Sequence, residues 1–295
     1  MKYKKKLVSV ILNCYNGSKY LREALISVQN QSFKNWELIF WDNRSTDNSK
    51  QILLSFKNKN FKYYLSRKHT SLYAARNLAI SKANGKYISF IDSDDTWEKD
   101  KLKKQLRLFK EKDVAVVYGN SWIKRERTNQ KKIFIKEKFK EGFIYDELIK
   151  SYNVGILTAM IKMTSIKKKK IFDDKYNIIG DFDLFIKLSK KYKFKAIQSP
   201  IATYRIHEKN LSILKKDLEI KEFCNWYKKN NKNLSLINKN LIKKKINQLK
   251  FVNKKFNNGF LNTLVFFLNN NKVNIKNLTI LFTPKIILKK LMWFY

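Results

Sequence analysis

The sequence predicts an α/β fold, a mostly parallel sheet with helices on both faces, followed by a helical C-terminal appendage. Three observations predict it. Short β-branched and aromatic runs alternate with stretches whose apolar residues recur every three or four positions. That alternation is regular over the first 120 residues, which implies crossover connections between parallel strands. Beyond about residue 213 the pattern changes to Lys/Asn-rich helical segments without a clean repeat.

In chain order, strands are read at residues 7–12, 36–41, 62–65, 87–91 and 114–118, and helices at 20–28, 52–56, 72–83 and 102–109. The tail holds apolar or amphipathic clusters at 261–268 and 286–295. The expected division is therefore an α/β domain over 7–212 and a helical region over 213–295. With 44% apolar and 30% charged residues the chain is composed like a globular protein, and only 7 Gly and 2 Pro leave no long Gly/Pro linker.

The charge of +40 allows two readings. Nucleic-acid binding is one, since Lys and Arg neutralise phosphates. Biased residue usage is the other: the excess is nearly all Lys, alongside abundant Asn and Ile, whereas Arg is the residue suited to bidentate phosphate and base contacts. The second is favoured, and no nucleic-acid partner is expected. Attraction to anionic lipid is compatible with either; the Lys-flanked apolar end 286–295 reads as membrane-surface association through the C-terminal region or, slightly favoured, as an apolar face packed on the α/β domain. Cys14 and Cys224 lie far apart with no zinc-like spacing, which suggests reduced thiols. Residues 7–12 are too short for a signal-peptide core, and no run reaches the roughly 18 apolar residues of a membrane span. The expected location is cytoplasmic, at the inner face of the membrane.

Ligands of such sheets bind beyond the carboxyl ends of the strands. The first strand exits into Asn13-Cys14-Tyr15-Asn16-Gly17, which lacks the GxGxxG of dinucleotide-binding domains. The second exits into Asp42-Asn43-Arg44-Ser45-Thr46-Asp47, the fourth into Asp92-Ser93-Asp94-Asp95. Asp92 and Asp94 are two apart on extended chain and can face one site. Carboxylates that close repel unless a cation lies between them, and Mg²⁺ or Mn²⁺ with hard oxygen ligands fits. The plainer reading is an acidic helix start capped by Asp95 or Thr96. Ser45, Thr46 and Asp47 read as caps too, whereas Asp42, at the strand tip, can accept from a uracil N3–H or a ribose hydroxyl.

Taken together these segments resemble the family 2 glycosyltransferases of the GT-A fold. The resemblance runs from Val8-Ser9-Val10-Ile11 and Tyr15-Asn16 through Trp36-Glu37-Leu38-Ile39, Asp42 and Ser45-Thr46-Asp47. It continues with Ala75-Arg76-Asn77, Gly85-Lys86-Tyr87-Ile88, Asp92-Ser93-Asp94-Asp95-Thr96-Trp97 and Gly180-Asp181-Phe182-Asp183-Leu184, ending at Tyr204-Arg205-Ile206-His207. Each motif is short; the order of the set is what is specific.

The resemblance implies an inverting transfer of a sugar from a nucleotide-sugar, UDP being the expected carrier, to a glycan or lipid-linked acceptor, with cell-surface polysaccharide as the product. It implies base recognition by Asp42 with Tyr15 and Arg76 lining the same pocket, ribose contact by Asp92, and Mg²⁺ or Mn²⁺ held by Asp94 and His207. Asp181 is implied as the general base. From the segment alone, a helix cap is the favoured reading of Asp181 or Asp183, and a lone histidine such as His207 is usually structural or exposed; His69 reads as a loop residue. Three departures from the family pattern stand out: Asn43 where a second carboxylate is often found, His69 and Ser71 where Asn and Gly are common, and Gly180 where a Glu often precedes the catalytic Asp.

Overall fold

A computed structural model describes residues 7–166 and 170–269, without the side chains of 212, 213 and 255–269. The expected alternation is present. Strand β1 (Val8–Cys14) leads into helix α1 (Ser18–Gln29), β2 (Trp36–Asp42) into α2 (Ser49–Ser55), and β3 (Phe61–Leu65) into α3 (Leu72–Ser81), before β4 (Tyr87–Asp92). These four strands form a parallel block in the order β3-β2-β1-β4. Every residue of β1 and β2 is buried, because helices cover both faces of a parallel sheet and leave no wet side. This explains why the two strands read as continuous apolar runs and not as alternating ones.

Past β4 the structure departs from the simplest reading. The plainer alternative of a helix start capped by Asp95 or Thr96 is not what forms: residues 96–97 make a short strand β5 (Thr96–Trp97) antiparallel to the last strand of the domain, and α4 (Lys101–Arg107) begins only afterwards. Asp95 therefore caps no helix; its carboxylate is claimed by the backbone of that last strand, described below. The strand expected at 114–118 runs on as β6 (Val114–Arg125) and carries β7 (Lys131–Ile133) on its far half. Helix α5 (Tyr145–Lys150), strand β8 (Met160–Lys162), helix α6 (Gly180–Ser189) and strand β9 (Lys193–Ile206) complete the unit. β8 joins β4 to β6 by antiparallel pairing, while β9 runs parallel to β6. The β6–β9 register slips at Asn120, which faces Pro200. Proline has no N–H to give a ladder, so an irregularity there is expected.

The chain divides into two units between His207 and Glu208. The second contains α7 (Leu211–Leu214), α8 (Lys216–Asn230) and α9 (Leu236–Asn269). α8 and α9 run antiparallel, tied by Asn253 Nδ2 donating to Asp217 Oδ1 at 2.6 Å, with Phe223, Trp226, Ile242 and Ile246 buried. The apolar cluster 261–268 falls in α9, where its side chains are not described; the amphipathic end 286–295 lies outside the described residues. Among the described residues no helix is long and apolar enough to cross a membrane.

A buried acid fixes the amino end of the sheet. Glu37, fully buried in β2, accepts from the Ser9 hydroxyl at 2.6 Å, the Asn84 N–H at 2.8 Å and Lys62 Nζ at 2.6 Å. Burial alone would raise its carboxyl, but the donors, Lys62 foremost, outweigh this and hold it below the ordinary carboxylate range. Its stabilising contribution is thus full above the unfolded value of about 4.3 and fades as pH falls through the lower folded value. Glu37→Gln is expected to cost about 1–3 kcal/mol near neutral pH, the half-exposed Lys62 being partly screened. The difference from wild type in urea melts should shrink below about pH 4; a pH-independent loss would contradict the assignment.

Candidate functional site

Strand β1 lies between β2 and β4, so the sheet order reverses direction at its carboxyl end, where ligands of such sheets settle. In register there, Cys14 is opposite Asp42 on β2, and Asn13 is opposite Asp92 on β4. Asp42 is 2% exposed and is held on both oxygens: Tyr63 donates its hydroxyl at 2.9 Å and Ser45 its N–H at 2.7 Å. Burial and the Asp42 charge push the Tyr63 hydroxyl up to about 12, so it remains a donor.

The exit loops of β1 and β2 are stitched together. Asn16 Oδ1 accepts from Thr46 N, and Ser45 Oγ accepts from Asn16 N. Asp47 takes the N–H of Ser18 at the start of α1 and of Ser49 at the start of α2, satisfying orphan donors of two helices with one carboxylate. Gly17 is needed at this crossing, because a Cβ there would lie 2.6 Å from Ser93 Oγ and 2.9 Å from Cys14 Sγ. Tyr15 is exposed and packs its ring on His69, centroids 4.3 Å apart. His69 does lie in a loop, as expected, and its Nδ1 is 3.0 Å from Asn43 O.

Arg76, on the inner face of α3, is 3% exposed. It bonds to Asp92 at 2.6 Å. Burial opposes the buried guanidinium's charge, and Asp92, Tyr73 and Asp181 more than restore it. Tyr73, three residues earlier on α3, has its ring 5.3 Å from that guanidinium and donates its hydroxyl to Asp181 Oδ1 at 3.0 Å. Asp181 stands in the first turn of α6 and also accepts the Phe182 N–H at 2.9 Å. Burial raises its carboxyl above the ordinary range, against the pull of Arg76 and of the Tyr73 and Tyr152 hydroxyls. Gly180 is required by this packing: a Cβ would sit 2.5 Å from the Tyr73 ring. Asp183, the other candidate base, is buried and paired with Lys187 one turn along α6.

Asp94 meets His207 at the end of β9, with Nε2 2.9 Å from Oδ2. Arg205 organises the loop that carries it. Its Nε donates to Asp94 O at 2.9 Å, its backbone N–H to Asp95 Oδ1 at 2.8 Å, and its guanidinium pairs with Glu23 of α1. Asp95 is 1% exposed, its Oδ2 has no partner, and burial together with Asp94 and Asp92 pushes its carboxyl well up. Among the described residues no three His, Cys, Asp or Glu side chains form a ready metal cage.

The expected residues thus fall into two linked groups at one end of the sheet. Asp92, Arg76 and Asp181 are joined through Tyr73, and Asp94 with His207 stands two residues beyond Asp92; Tyr15 and Asp42 occupy the neighbouring exits. Sequence reading gave no role to Tyr73, Tyr152 or Arg205. The only signal for Tyr73 was its place one helical turn before Arg76, and Arg205 was visible as one of few arginines. Tyr152 gave none.

The family model described as Glycosyl transferase family 2 matches residues 9–174. The chain is 37% identical over 160 residues to TuaG of Bacillus subtilis, named for teichuronic acid biosynthesis, covering 53% of this chain and 62% of that protein. With WfgD of Escherichia coli, named as a UDP-Glc:α-D-GlcNAc-diphosphoundecaprenol β-1,3-glucosyltransferase, it shares 28% identity over 208 residues, 70% of this chain and 79% of that one. Among solved structures it is similar to Staphylococcus aureus TarS in complex with UDP-GlcNAc (TM-score 0.59, 20% identity, 93% of this chain and 78% of the other). It is also similar to the mannosyltransferase PcManGT of Pyrobaculum calidifontis in complex with GDP-Man and Mn²⁺ (TM-score 0.63, 13% identity, 99% and 85%).

The Tyr73 contact should be measurable. Tyr73→Phe removes a donor that lowers the Asp181 carboxyl, and Gly180→Ala drives a methyl into the Tyr73 ring. Both variants are expected to move the Asp181 titration to higher pH, followed by the carboxyl ¹³C shift in NMR. An unmoved midpoint in both would break the proposed link.

Proposed function

The chain belongs to glycosyl transferase family 2, and from that premise we propose that it transfers a sugar from a UDP-sugar to an acceptor hydroxyl, with inversion, in cell-surface polysaccharide synthesis. The acceptor is a glycan, in lipid-linked form, and the work is done at the cytoplasmic face of the membrane. The observation that carries this reading is the path from Asp92 through Arg76 and Tyr73 to Asp181, which joins a donor-side carboxylate to a proton acceptor.

In this reading the uracil lies at the β1 and β2 exits. Asp42 keeps lone pairs beyond the two its neighbours use and accepts the N3–H, while the exposed Tyr15 ring, braced by His69, offers a stacking face. Asp92 takes a ribose hydroxyl and is oriented by Arg76. The Asp94 carboxylate and the His207 imidazole, 2.9 Å apart, suit one hard divalent cation, Mg²⁺ or Mn²⁺, if phosphate oxygens and water fill its other positions. Such a cation supplies Lewis-acid stabilisation of the departing diphosphate. Asp181 removes the proton of the acceptor hydroxyl, which attacks the anomeric carbon on the face opposite the diphosphate. Tyr73 and the Phe182 N–H share one oxygen, Oδ1, and hold the carboxylate in orientation. Its raised affinity for protons suits a base, since proton transfer is most efficient when the base lies nearer the working pH.

The test is turnover by purified protein on a panel of nucleotide sugars with Mn²⁺ and with EDTA. Asp94→Asn is expected to abolish metal-dependent turnover with the fold intact. Asp181→Asn should lower kcat about 10²- to 10⁴-fold with donor affinity unchanged. Because the base must be ionised and burial raises its carboxyl, kcat/KM should decline on acidification at a pH above the ordinary carboxylate range, and this limb should vanish in Asp181→Asn. Full activity of Asp94→Asn, or equal loss of donor binding in Asp181→Asn, would contradict the assignment.

A further inference from the structure

The positive charge of the chain is unevenly opposed. All 24 acidic residues precede residue 223; residues 223–295 contain 15 lysines and no Asp or Glu. A uniform bias in residue usage explains many lysines but not the disappearance of carboxylates from a quarter of the chain. The described part of this stretch includes the turn between α8 and α9. There Leu236 and Ile237, the first two residues of α9, are 74% and 73% exposed, the two most exposed large apolar side chains among the described residues. Lys228, Lys229 and Lys232 on the approach to that turn are exposed, as are Lys243 and Lys244, two turns along α9 from the Leu236–Ile237 pair.

An adjacent pair of aliphatic side chains held in water is unfavourable in a free surface, and these lysines flanking it in the chain are exposed. The same arrangement is favourable at one kind of boundary: aliphatic groups enter the acyl region while lysines meet anionic headgroups. A soluble polyanion would use the lysines and leave the aliphatic pair idle. We infer that the α8–α9 turn is a docking surface for an anionic lipid bilayer, with Leu236 and Ile237 inserting and Lys228, Lys229 and Lys232 on the headgroups. This deepens the membrane-surface part of the reading above, but it stands on the turn alone and requires no sugar transfer. The turn would tether the enzyme to the surface on which a lipid-linked acceptor is found.

The experiment is co-sedimentation of the full chain with vesicles, with no donor or acceptor present, so that its outcome is separate from catalysis. Wild type should bind phosphatidylcholine vesicles carrying phosphatidylglycerol at about one lipid in three, release with added salt, and leave pure phosphatidylcholine vesicles unbound. The double variant Leu236→Ser/Ile237→Ser, and separately the triple variant Lys228→Gln/Lys229→Gln/Lys232→Gln, should each weaken partitioning roughly tenfold or more. Far-UV circular dichroism and thermal melts should match wild type, since all five positions are exposed. Failure of wild type to bind anionic vesicles would overturn the inference. So would unchanged binding of the serine double variant, because attraction would then be by charge alone or by another part of the chain.

Discussion

The site depends on one buried cation. Arg76 is enclosed on α3 and bonded to Asp92, with Tyr73 beside it and Asp181 within its field. A guanidinium in that position would be costly without partners, and without it the buried Asp181 carboxyl would lie higher still. Together they fix the end of β4 against the first turn of α6, elements nearly ninety residues apart in the chain. Every other feature of the candidate site is arranged around this junction. The Asp94–Asp95 loop follows from the end of β4, and the β1 and β2 exits lie beside it in register.

Acidic groups cluster here at unequal cost, which explains how so many coexist. Asp42 and Asp47 each accept two N–H or O–H donors from neighbouring elements, one on each oxygen. Asp92 has Arg76. Asp95 is buried with an unpartnered oxygen, and burial together with the charges of Asp94 and Asp92 raises its proton affinity. Its other oxygen receives the Arg205 N–H, so Asp95 ties the Asp94 loop to β9, at whose end His207 meets Asp94. Arg205 closes the same joint from its side chain.

Much of this was legible beforehand, and the rest was not for physical reasons. The parallel block β1–β4 was readable because its buried strands are continuous apolar runs broken by helices of clear period. β5 was not: two residues carry no periodicity, and the acidic run before them looks like a helix start. The lengths of β6 and β9 depend on pairing between segments some eighty residues apart, which local pattern does not contain. Among site residues, carboxylates at strand exits were visible from chemistry and position, while Asp181, His207 and Arg76 needed the ordered resemblance to be singled out. The Arg76–Asp92 pair itself was not legible, because it joins α3 to the end of β4 and no local pattern contains that contact. The Gly180 departure also acquires a reason, as the Tyr73 ring fills the space that any side chain would need.

The central claim is that a donor diphosphate and one divalent cation come together at Asp94 and His207, within reach of Asp181. An anomalous difference map at the manganese edge, from crystals grown with Mn²⁺ and UDP, tests it most directly. The account requires a single peak coordinated by Asp94, with His207 on the cation or its diphosphate and the uracil over Tyr15 and Asp42. A peak elsewhere, or a nucleotide bound away from the ends of β1, β2 and β4, would contradict it.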